Sequence, residues 1–577
     1  MPAGSPDRKD KDLVEKPAAP VRPVHHGAVA LGKIAAVARA DPGTGAQPAV
    51  TGASLDSRSV LPGDLYIALP GAHAHGAAFA AAAVTSGAVA VLTDDAGARQ
   101  LGAALPVPVL TCADPRAATG PVAALIYGTG NRGAGAMPLF AVTGTNGKTT
   151  TTYFLNSLLR ALGTTAGLIG TIEILAGDDP IPSKLTTPES TDVHALLAVM
   201  AERGLGAASM EVSSHALAFG RVDSVVFDVA GFTNLTQDHL DLHGGMEGYY
   251  ATKAQLFTPA RARRAVVTVD DEWGRRLAAE STIPVRTLAT RAAGTRAAGT
   301  RAAGTTPAGT PADWLVAGVR RDGIGSRFQL HGPHGTALSV RTGLPGDFNV
   351  SNAALALVMV AEQLLAAAEA DGEDGTEVTP RATRRLQNTL QAALDGHDPF
   401  TVDVPGRMQL VGTRPVAVVD FAHNPDALAR ALAAIRSPET GSRVIVVFGA
   451  TGERDATKRP VMGAIAVDGA DVVIITDDDP HDEDAAAIRA EVLRGAAGAN
   501  GARTKPRTIE EFDRRADAIF RAVELAGPGD TILVAGRGHE VNQEVKGVNV
   551  ALDDRVELRS ALAHFGFPAA TASRIES

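Results

Sequence analysis

The sequence contains one cysteine, Cys112, among 577 residues. A single thiol excludes an intramolecular disulfide and a zinc site built from several cysteines, and it fits a reducing compartment. Charged residues make up 20% of the chain, and 54 basic against 64 acidic residues leave a net charge of −10. This balance argues against a nucleic-acid-binding surface that covers the whole protein.

Long apolar runs are also missing. The run Ala353–Ala361 ends at Glu362, well short of the ~20 apolar residues that a membrane helix needs. The first residues, MPAGSPDRKDKDLVEK, lack the apolar segment of a secretory signal. We therefore expect a cytoplasmic protein without stable membrane insertion. At ~150 residues per domain, the length allows about three domains.

Three segments have the composition of tails or loops. Residues 1–45 are rich in Pro, Ala and charge, and we interpret them as a flexible tail. The stretch 287–311 contains the unit RAAGT three times, a period that matches no solenoid, and we expect it to be an insertion in a surface loop. The polar stretch 371–379 is predicted to be another loop.

Short apolar runs alternate with helical stretches over the rest of the chain. The helical periods include Thr149–Leu162 and Asp426–Ile435. Strand-then-helix repetition predicts an α/β protein with largely parallel sheets, in which ligands bind beyond the carboxyl ends of the strands. The predicted strands are Val89–Leu92, Leu139–Thr143, Val225–Val229, Val266–Val269, Val416–Val419, Val444–Phe448, Val472–Thr476 and Thr531–Ala535.

The strongest motif is PLFAVTGTNGKTTTTYFLNSLL, which begins at Pro138. An apolar strand leads into a short GxxGKT form of the P-loop and then into a helix. The glycines let backbone N–H groups surround a polyphosphate, the lysine supplies a cation, and the threonine hydroxyl can reach Mg²⁺. The motif predicts ATP binding by Gly144, Thr145, Asn146, Gly147, Lys148, Thr149 and Thr150.

Two further segments place polar groups after apolar runs. Glu211 ends one run and is followed by Ser213 and His215, while His239 follows another. Carboxylate oxygens beside a P-loop suit Mg²⁺, although capping of loops and turns by such residues is the alternative. Together with the P-loop, they predict a metal site.

Lys253 lies in the segment EGYYATKAQLF. Tyr249, Lys253 and Phe257 are spaced i, i+4, i+8, so the lysine shares the apolar face of its helix. Burial lowers the pKa of an amine, and a neutral amine can capture CO₂ as a carbamate, which is an oxygen ligand for Mg²⁺. On spacing alone, a lysine whose stem packs on apolar surface is the simpler interpretation.

Eight motifs in one order resemble the Mur ligase family, and within it the MurE type. They are TGTNGKTTT, LTTPES, MEVSSHAL, TNLTQDHLDLHG, YATKAQLF, PGRMQLV, VDFAHNPDAL and AGRGHE. The resemblance implies three domains: a UDP-sugar domain over 46–136, a central P-loop ATPase domain over 137–402 and a C-terminal Rossmann-like amino-acid domain over 403–577. It also implies that Lys253 is carbamoylated (N6-carboxylysine).

The resemblance implies an activity. MurE-type members join a third amino acid to UDP-N-acetylmuramoyl-L-alanyl-D-glutamate in peptidoglycan synthesis and use ATP and Mg²⁺. The glutamate carboxylate attacks the γ-phosphate of ATP, and the incoming amine attacks the resulting acyl phosphate. Lys148 would neutralise charge with the metal ions. The metal ligands would be Thr149, Glu211, His239 and carbamoylated Lys253.

Other site residues follow from the same resemblance. Arg407 and Asp420, with His423 as a further candidate, match positions that close over ATP. Some members carry Gln where this chain has Phe219, so one polar substrate contact is missing. The residues expected to hold the UDP-muramoyl-dipeptide are Ser57, Thr186, Thr187, Ser213 and Arg221.

The third amino acid stays open between two classes. Members that add meso-diaminopimelate carry Asp-Asn-Pro-Arg, whose arginine clamps the distal carboxylate; here the stretch ends in His481, which cannot form a bidentate fork. The neighbouring residues are acidic, which favours a side chain that ends in ammonium, L-lysine or ornithine, over diaminopimelate. Capping of a helix N-terminus by these carboxylates is the alternative. The expected amino-acid contacts are Arg454, Asp478, Asp479, His481, Gly536 and Glu540.

Two rival interpretations remain. A folylpolyglutamate-type ligase shares the P-loop and the modified lysine, but LTTPES and the segment around Ser57 speak against it. A non-enzymatic regulator could use the P-loop to sense ATP, but it would not need Lys253 on an apolar face or the cluster at His239. We expect a monomeric enzyme.

Overall fold

The computed structural model describes residues 20–41, 46–71, 73–102, 105–130, 136–181, 185–238, 240–290, 312–370, 380–437 and 439–570. His239, the RAAGT units and residues 371–379 lie outside these ranges. The described chain contains three main sheets, of four, eleven and six strands. This confirms the α/β class and the three-domain architecture, whereas the exact domain limits stay a prediction.

The N-terminal unit is a parallel sheet in the order β3-β4-β5-β6, covered by helices, beside a two-stranded ribbon of β1 and β2. Its elements are β1 Val29–Ala30, α1 Leu31–Ala38, β2 Ala49–Val50, β3 Gly52–Ser54, β4 Asp64–Ile67, α2 Ala80–Thr85, β5 Ala90–Thr93, α3 Asp95–Leu101, β6 Val109–Thr111 and α4 Pro115–Tyr127.

The sequence predicts a flexible tail over residues 1–45, and this prediction is wrong for residues 20–41, which the structure describes. Helix α1 buries Leu31 and Ile34 in the core of the N-terminal unit. Its apolar residues are spaced three or four positions apart, so they lie on one face of the helix. Arg22 donates to the carbonyl of Ala53 at 2.9 Å. Low complexity at the start of the segment concealed a short amphipathic helix at its end.

The central unit is an eleven-stranded sheet in the order β10-β9-β8-β11-β7-β12-β13-β14-β15-β16-β17. Its elements are β7 Leu139–Thr143, α5 Lys148–Ala161, β8 Ala166–Ile169, β9 Ile174–Ala176, β10 Asp179–Ile181, α6 Ser190–Glu202, β11 Ala207–Glu211, α7 Ser214–Ala218, β12 Phe227–Phe232, α8 Leu240–His243, α9 Met246–Ala254, β13 Ala262–Thr268, α10 Glu272–Glu280, β14 Val285–Ala289, β15 Trp314–Asp322, β16 Gly325–His331, β17 Ala337–Thr342, α11 Asp347–Ala370 and α12 Pro380–His397.

Only the middle of this sheet is parallel. Strands β8 to β10 form one antiparallel edge and β15 to β17 form the other, which the expectation of parallel sheets did not include. Strand β14 ends at Ala289, so the first residues of the expected insertion 287–311 belong to the sheet. Antiparallel hairpins extend the sheet without crossover helices, so the strand–helix alternation could not indicate them.

Helix α11 crosses the core of the central unit. Its segment Asp347–Ala368 is long and apolar enough to span a membrane by length and composition, which the count of consecutive apolar residues had not indicated. Two thirds of that window is buried, and Glu362 within it accepts from Arg286 at 3.2 Å. A core helix explains its apolar composition, because it packs against α5 and the sheet.

The C-terminal unit is a six-stranded sheet in the order β18-β19-β23-β20-β21-β22, parallel except for β18, and a separate hairpin of β24 and β25. Its elements are β18 Gln409–Thr413, β19 Val416–Asp420, α13 Pro425–Ile435, β20 Val444–Phe448, α14 Lys458–Gly469, β21 Val472–Ile475, α15 Ala485–Gly501, β22 Thr508–Glu511, α16 Arg515–Leu525, β23 Thr531–Ala535, β24 Asn542–Val545, β25 Val548–Ala551 and α17 Asp554–His564.

All eight predicted strands are present, and both predicted helices begin and end within one residue of their expected bounds. In the central sheet, β11, β7 and β12 are parallel neighbours. Their carboxyl ends therefore bring Glu211, the P-loop and Asn234 to one edge. In the third sheet, Asp420 and Gly536 end or follow the neighbouring strands β19 and β23. These two edges carry the candidate site.

Candidate active site

The P-loop joins β7 to α5 with a backbone that glycine must supply. Gly144 and Gly147 have φ angles of 146° and 91°. A Cβ atom at Gly147 would lie 2.4 Å from Oδ1 of Asn352, and one at Gly144 would lie 1.9 Å from Oγ1 of Thr233. The loop is therefore packed closely against α11 and the end of β12, so its N–H groups are fixed before a phosphate arrives.

Lys148 begins α5 and turns back onto the loop. Its ammonium donates to the carbonyls of Gly144 at 3.0 Å and Thr145 at 2.9 Å. Burial lowers the pKa of Lys148, and the charge of Glu211 opposes this shift. The cation is thus held at the place where the terminal phosphates of a bound nucleotide would lie.

Glu211 lies at the carboxyl end of β11, almost fully buried. The Thr149 hydroxyl donates to its carboxylate at 2.8 Å, and the backbone N–H and the hydroxyl of Thr171 donate to it at 2.7 and 3.1 Å. The Thr171 hydroxyl also donates to Thr186 at 3.1 Å. A carboxylate surrounded by hydroxyl oxygens is the kind of donor set that Mg²⁺ prefers.

Lys253 is buried on the inner face of α9 with Tyr249, and Phe257 is buried in the 3-10 turn that follows the helix. Its Nζ donates to the carbonyl of Gly144 at 2.9 Å and lies 4.6 Å from the centre of the Tyr249 ring. Burial lowers the pKa of Lys253 well below its ordinary value, and the nearby Lys148 ammonium lowers it further. A neutral amine at this position is the reactive form for carbamate formation.

Arg407 and Asp420 bring the C-terminal unit to the P-loop. The Arg407 guanidinium stacks on Phe421, 4.1 Å from the ring centre, and burial lowers its pKa. Asp420 accepts from the backbone N–H groups of Met408 at 2.7 Å and Ala422 at 2.9 Å. Both residues line the same cavity as Lys148. The geometry fits a guanidinium that faces bound phosphates.

The expected amino-acid residues form the far end of this cavity: Arg454, Asp478, Asp479, His481, Gly536 and Glu540. Oxygens of Asp478, Asp479 and Glu540 lie within 4.8 Å of one another. Burial, then the charges of Asp478 and Asp479, raises the pKa of Glu540 to about 8. Such a group of carboxylates would bind an ammonium readily, because the added cation relieves their mutual repulsion.

Part of the acidic character of this segment is structural, since several of its carboxylates form ion pairs and one caps a helix, as the capping alternative expects. Asp479 forms an ion pair with Arg537, and Asp477 with Arg489. Glu483 pairs with Arg459 at 2.8 Å, and Asp484 caps α15. Asp478 and Glu540 lie farther from Arg537, at 3.9 and 4.0 Å, and both line the cavity, so they are the carboxylates of this region that could best attract an added ammonium.

His481 has a φ angle of 52°, and its Nδ1 lies 3.2 Å from Oε2 of Glu544 in the β24–β25 hairpin. The imidazole is thus committed to a carboxylate of the protein. A second carboxylate, from a ligand, would meet the charge of Glu544 at this position.

Three of the five residues expected to hold the UDP-muramoyl-dipeptide line the cavity: Thr186, Ser213 and Arg221. Thr187 lies buried behind them, where its hydroxyl donates to the carbonyl of Glu211 at 2.7 Å. Ser57 follows β3 in the N-terminal unit and is absent from the described lining of this cavity. His239 lies outside the described residues.

The structure adds residues that motif reasoning missed. Asn352 of α11 packs on Gly147, and Lys458, at the start of α14, donates to the carbonyl of His423 at 3.0 Å and lines the cavity. Arg537 lies inside the AGRGHE motif and pairs with Asp479. The signal for Arg537 was available, since it is the one cation of that motif, whereas Asn352 is far from any motif in sequence.

One cavity of about 1620 Å³ joins most of these groups, but Ser57, Thr187, Lys253 and Arg537 are absent from its described lining. The P-loop and Arg407 lie in it, as do Arg221 and Glu540. Its lining comes from the central and C-terminal units. Phosphate-binding cations and carboxylates suited to an ammonium therefore share one space, so a phosphorylated acid and an amine could meet there.

Comparisons with known proteins agree with this geometry. Profiles described as the Mur ligase family catalytic domain, the Mur ligase middle domain and the Mur ligase glutamate ligase domain match residues 49–124, 142–360 and 406–538. These matches define the class of protein as an ATP-dependent ligase.

Relatives match nearly the whole chain. UDP-N-acetylmuramoyl-L-alanyl-D-glutamate–2,6-diaminopimelate ligase of Streptomyces coelicolor is 44% identical over 546 residues, 94% of this chain and 98% of that protein. UDP-N-acetylmuramyl-tripeptide synthetase of Leifsonia xyli subsp. xyli is 45% identical over 520 residues, 90% of this chain and 92% of that protein. The chain belongs to the Mur ligase family, which confirms the resemblance seen in its motifs.

A solved structure shows the same architecture. A UDP-N-acetylmuramoyl-L-alanyl-D-glutamate–2,6-diaminopimelate ligase is 29% identical, with a TM-score of 0.58 that covers 94% of this chain and 100% of that one. Membership of a ligase family also disfavours the non-enzymatic regulator considered above.

Proposed function

We propose that this protein is a MurE-type ligase that adds a diamino acid to UDP-N-acetylmuramoyl-L-alanyl-D-glutamate in the cytoplasm, acting as a monomer. The names of its relatives in Streptomyces and Leifsonia support the dipeptide substrate. The observation that carries the proposal is the single cavity in which Lys148 and Arg407 face the same space as Glu540. A folylpolyglutamate-type ligase would not account for these relatives.

The charges of the site explain the first chemical step. The glutamate carboxylate of the substrate must approach the γ-phosphate of ATP, and both are anions. Lys148, Arg407 and the N-terminus of α5 supply positive charge in a buried setting, where its effect on a developing negative charge is larger than in water. The step yields an acyl phosphate and ADP.

The second step needs the incoming amine and the exclusion of water. The neutral amine attacks the acyl carbon, and the tetrahedral intermediate then collapses. Phosphate leaves with the electrons of the broken C–O bond and takes up the proton that the nitrogen loses. Glu540 and Asp478 would hold the amino acid, with Arg454 on its carboxylate. Asn146 donates to Asp426 of α13 at 3.3 Å, a contact that joins the P-loop to the C-terminal unit. A closed arrangement of this kind protects an acyl phosphate from hydrolysis.

The donor set fits Mg²⁺. The Thr149 hydroxyl and the Glu211 carboxylate lie 2.8 Å apart, and both are buried oxygen groups beside the phosphate-binding loop. Thr149 and Glu211 would hold the ion, together with a carbamate on Lys253 and with His239. The ion would supply positive charge to the phosphate oxygens.

We assign the incoming residue to diamino acids whose side chain ends in ammonium, L-lysine or ornithine, rather than to meso-diaminopimelate. His481 stands where a clamping arginine would be needed, and its pairing with Glu544 leaves an anionic partner at that place. Asp478 and Glu540 favour an ammonium instead. The names of several relatives point the other way, since they are diaminopimelate ligases.

A ligase assay tests the proposal. Purified protein, ATP, Mg²⁺ and UDP-muramoyl-dipeptide are combined with lysine, ornithine or meso-diaminopimelate, and phosphate release and product mass are measured. We expect turnover that depends on both the dipeptide and a diamino acid, with higher kcat/KM for lysine or ornithine. Binding of ATP without such turnover would contradict the ligase function, and a preference for diaminopimelate would contradict only the choice of amino acid.

One variant sharpens the second part. His481→Arg restores the guanidinium fork and should raise kcat/KM for meso-diaminopimelate by about tenfold while lowering it for lysine. Arg514→Lys, at an exposed position of the same unit, is the matched control.

A further inference from the structure

Glu189 joins two guanidinium groups from different parts of the molecule. Its Oε1 accepts from Nε of Arg221 at 3.0 Å, and its Oε2 accepts from Nη1 of Arg116 at 2.7 Å. Arg221 follows α7 in the central unit, whereas Arg116 lies in α4 of the N-terminal unit. One carboxylate therefore spans the boundary between the two units.

We propose that Glu189 is a positioning residue for the substrate: it orients Arg221 toward the muramoyl-dipeptide and couples that orientation to the docked N-terminal unit through Arg116. The inference rests on the proposed function, because it takes Arg221 to contact that substrate. Glu189 itself is absent from the described lining of the cavity, so it acts behind Arg221 rather than on the ligand.

Three contacts fix the Arg221 side chain. Nε binds Glu189, Nη1 donates to the carbonyl of Thr187 at 3.3 Å, and the guanidinium carbon lies 5.9 Å from the centre of the Phe219 ring. These hydrogen bonds use Nε and Nη1, and the guanidinium lines the cavity. The Nη2 amino group is the one that these contacts leave for an anionic ligand.

The local backbone explains why the Glu189 carboxylate can serve this purpose. Glu189 occupies the N-cap position of α6, but its side chain makes no capping hydrogen bond. Shorter side chains such as Asp, Asn, Ser and Thr reach the first N–H groups of a helix, whereas Glu is too long for this geometry. The loop thus places a carboxylate at the boundary without using it to stabilise the helix end.

The boundary around Glu189 is closely packed. The imidazole of His194 lies 2.9 Å from the carbonyl of Asp223 and 2.6 Å from the hydroxyl of Thr129 in the N-terminal unit. A Cβ atom at Gly120 of α4 would lie 2.6 Å from the Cβ of Asp223. Small displacements of α4 would therefore meet steric resistance, and Arg116 is carried to Glu189 in a fixed position.

The experiment compares Glu189→Gln with the unmodified protein. The two arginines use different oxygens of Glu189, so glutamine keeps one of these acceptors and places an amide N–H group against the other guanidinium. We expect KM for UDP-muramoyl-dipeptide to rise about tenfold, with KM for ATP and for the diamino acid within twofold and the melting temperature little changed. Glu189→Asp keeps the charge, but its shorter carboxylate would cap α6 instead of reaching the two arginines, so it should show the same rise in KM without loss of stability.

Arg116→Gln separates the two halves of the inference. It removes the contact from the N-terminal unit but keeps the Glu189–Arg221 pair, so it should raise the same KM by about threefold. Asp179→Asn, which breaks the exposed Arg203–Asp179 pair at 2.9 Å in the central unit, is the control for loss of a surface ion pair and should change nothing.

The outcomes are distinguishable from failure of the proposed function. If the unmodified protein does not turn over UDP-muramoyl-dipeptide, the proposed function and this inference both fail. Turnover by the unmodified protein with an unchanged KM in Glu189→Gln overturns the inference alone. Equal loss in all three KM values would mean general disruption and would also overturn it, and no effect of Arg116→Gln would overturn the coupling.

Discussion

Lys253 is the residue whose environment most directly determines its chemistry. Its amine has lost water, lies 2.9 Å from a carbonyl and has the Lys148 ammonium nearby. Burial and the Lys148 ammonium favour a form without a positive charge, whereas the carbonyl favours a group that donates a hydrogen bond. A carbamate has no positive charge, keeps one N–H donor and also offers oxygen ligands.

Removing this amine gives the first prediction. Lys253→Ala should lower kcat by at least about 100-fold, because the metal site loses a ligand. Short carboxylates such as acetate should restore part of the activity if the carbamate is the true ligand. Incorporation of ¹³C from labelled bicarbonate into the unmodified protein, followed by NMR, checks the modification itself. Full activity of Lys253→Ala would show that the lysine only packs.

Glu540 gives a prediction about pH. Its pKa in the folded protein is about 8, above the ordinary value of 4.5, so the native state holds a proton that the unfolded chain releases across this interval. Stability from this residue is therefore lost as pH rises from 4.5 to 8. Glu540→Gln cannot ionise, so its melting temperature should fall less between pH 5 and pH 8 than that of the unmodified protein. Parallel curves for the two proteins would refute the shifted pKa.

At the scale of single residues, the sequence predicted which side chains carry chemistry better than it predicted which residues they contact. The P-loop, Glu211, Lys253 and Arg407 were predicted from motifs, because each motif fixes residue types at a set spacing. Asn352 was not, since its contact with Gly147 spans about 200 positions of chain and no short pattern encodes it.

Helix α5 and the loop before it form the element on which nucleotide binding depends. Gly147→Ala would place a Cβ 2.4 Å from Asn352 at a φ of 91°, so the loop must move. We expect the Kd for ATP to rise about tenfold or more. Gly163→Ala is the matched control, because its φ is also positive but its Cβ would meet nothing within 4 Å.

The control variant Gly163→Ala separates the effect of backbone strain from the effect of a steric clash. Gly163→Ala should cost about 1–2 kcal/mol of stability and leave the ATP Kd unchanged. Calorimetric titration with a non-hydrolysable ATP analogue and thermal melting measure the two effects. If both variants bind ATP as the unmodified protein does, close packing on Asn352 does not shape the loop.

Elements with a regular period were predictable, and edges were not. Buried parallel strands such as β20 appear as short β-branched runs bounded by polar residues, so the sequence located them closely. The antiparallel edge β15–β17 follows the RAAGT units. The alternating pattern of Gly325–His331 is short and lies close to these repeats, and it was not predicted as a strand. Helix α1 was not predicted, because the low-complexity residues before it concealed its apolar pattern.

At the scale of the whole molecule, the proposed function requires the C-terminal unit to complete the site of the central one. Arg407→Ala removes the guanidinium that this unit brings to the P-loop and should lower kcat by about 1000-fold, with KM for UDP-muramoyl-dipeptide nearly unchanged. Arg514→Ala, an exposed arginine of the same unit, is the control. Steady-state kinetics for all substrates measure the difference, and equal losses in both variants would argue against a role at the phosphates.

The two amines that donate to Gly144 have a consequence for how nucleotide is taken up. The Lys148 ammonium donates to the carbonyls of Gly144 and Thr145, so the phosphates of a nucleotide must compete with these carbonyls for the same N–H groups. Nucleotide binding therefore exchanges one set of hydrogen bonds for another, and the free energy of binding is the difference between the two sets. A nucleoside monophosphate is too short to replace these hydrogen bonds, so we expect it to bind more weakly than the triphosphate.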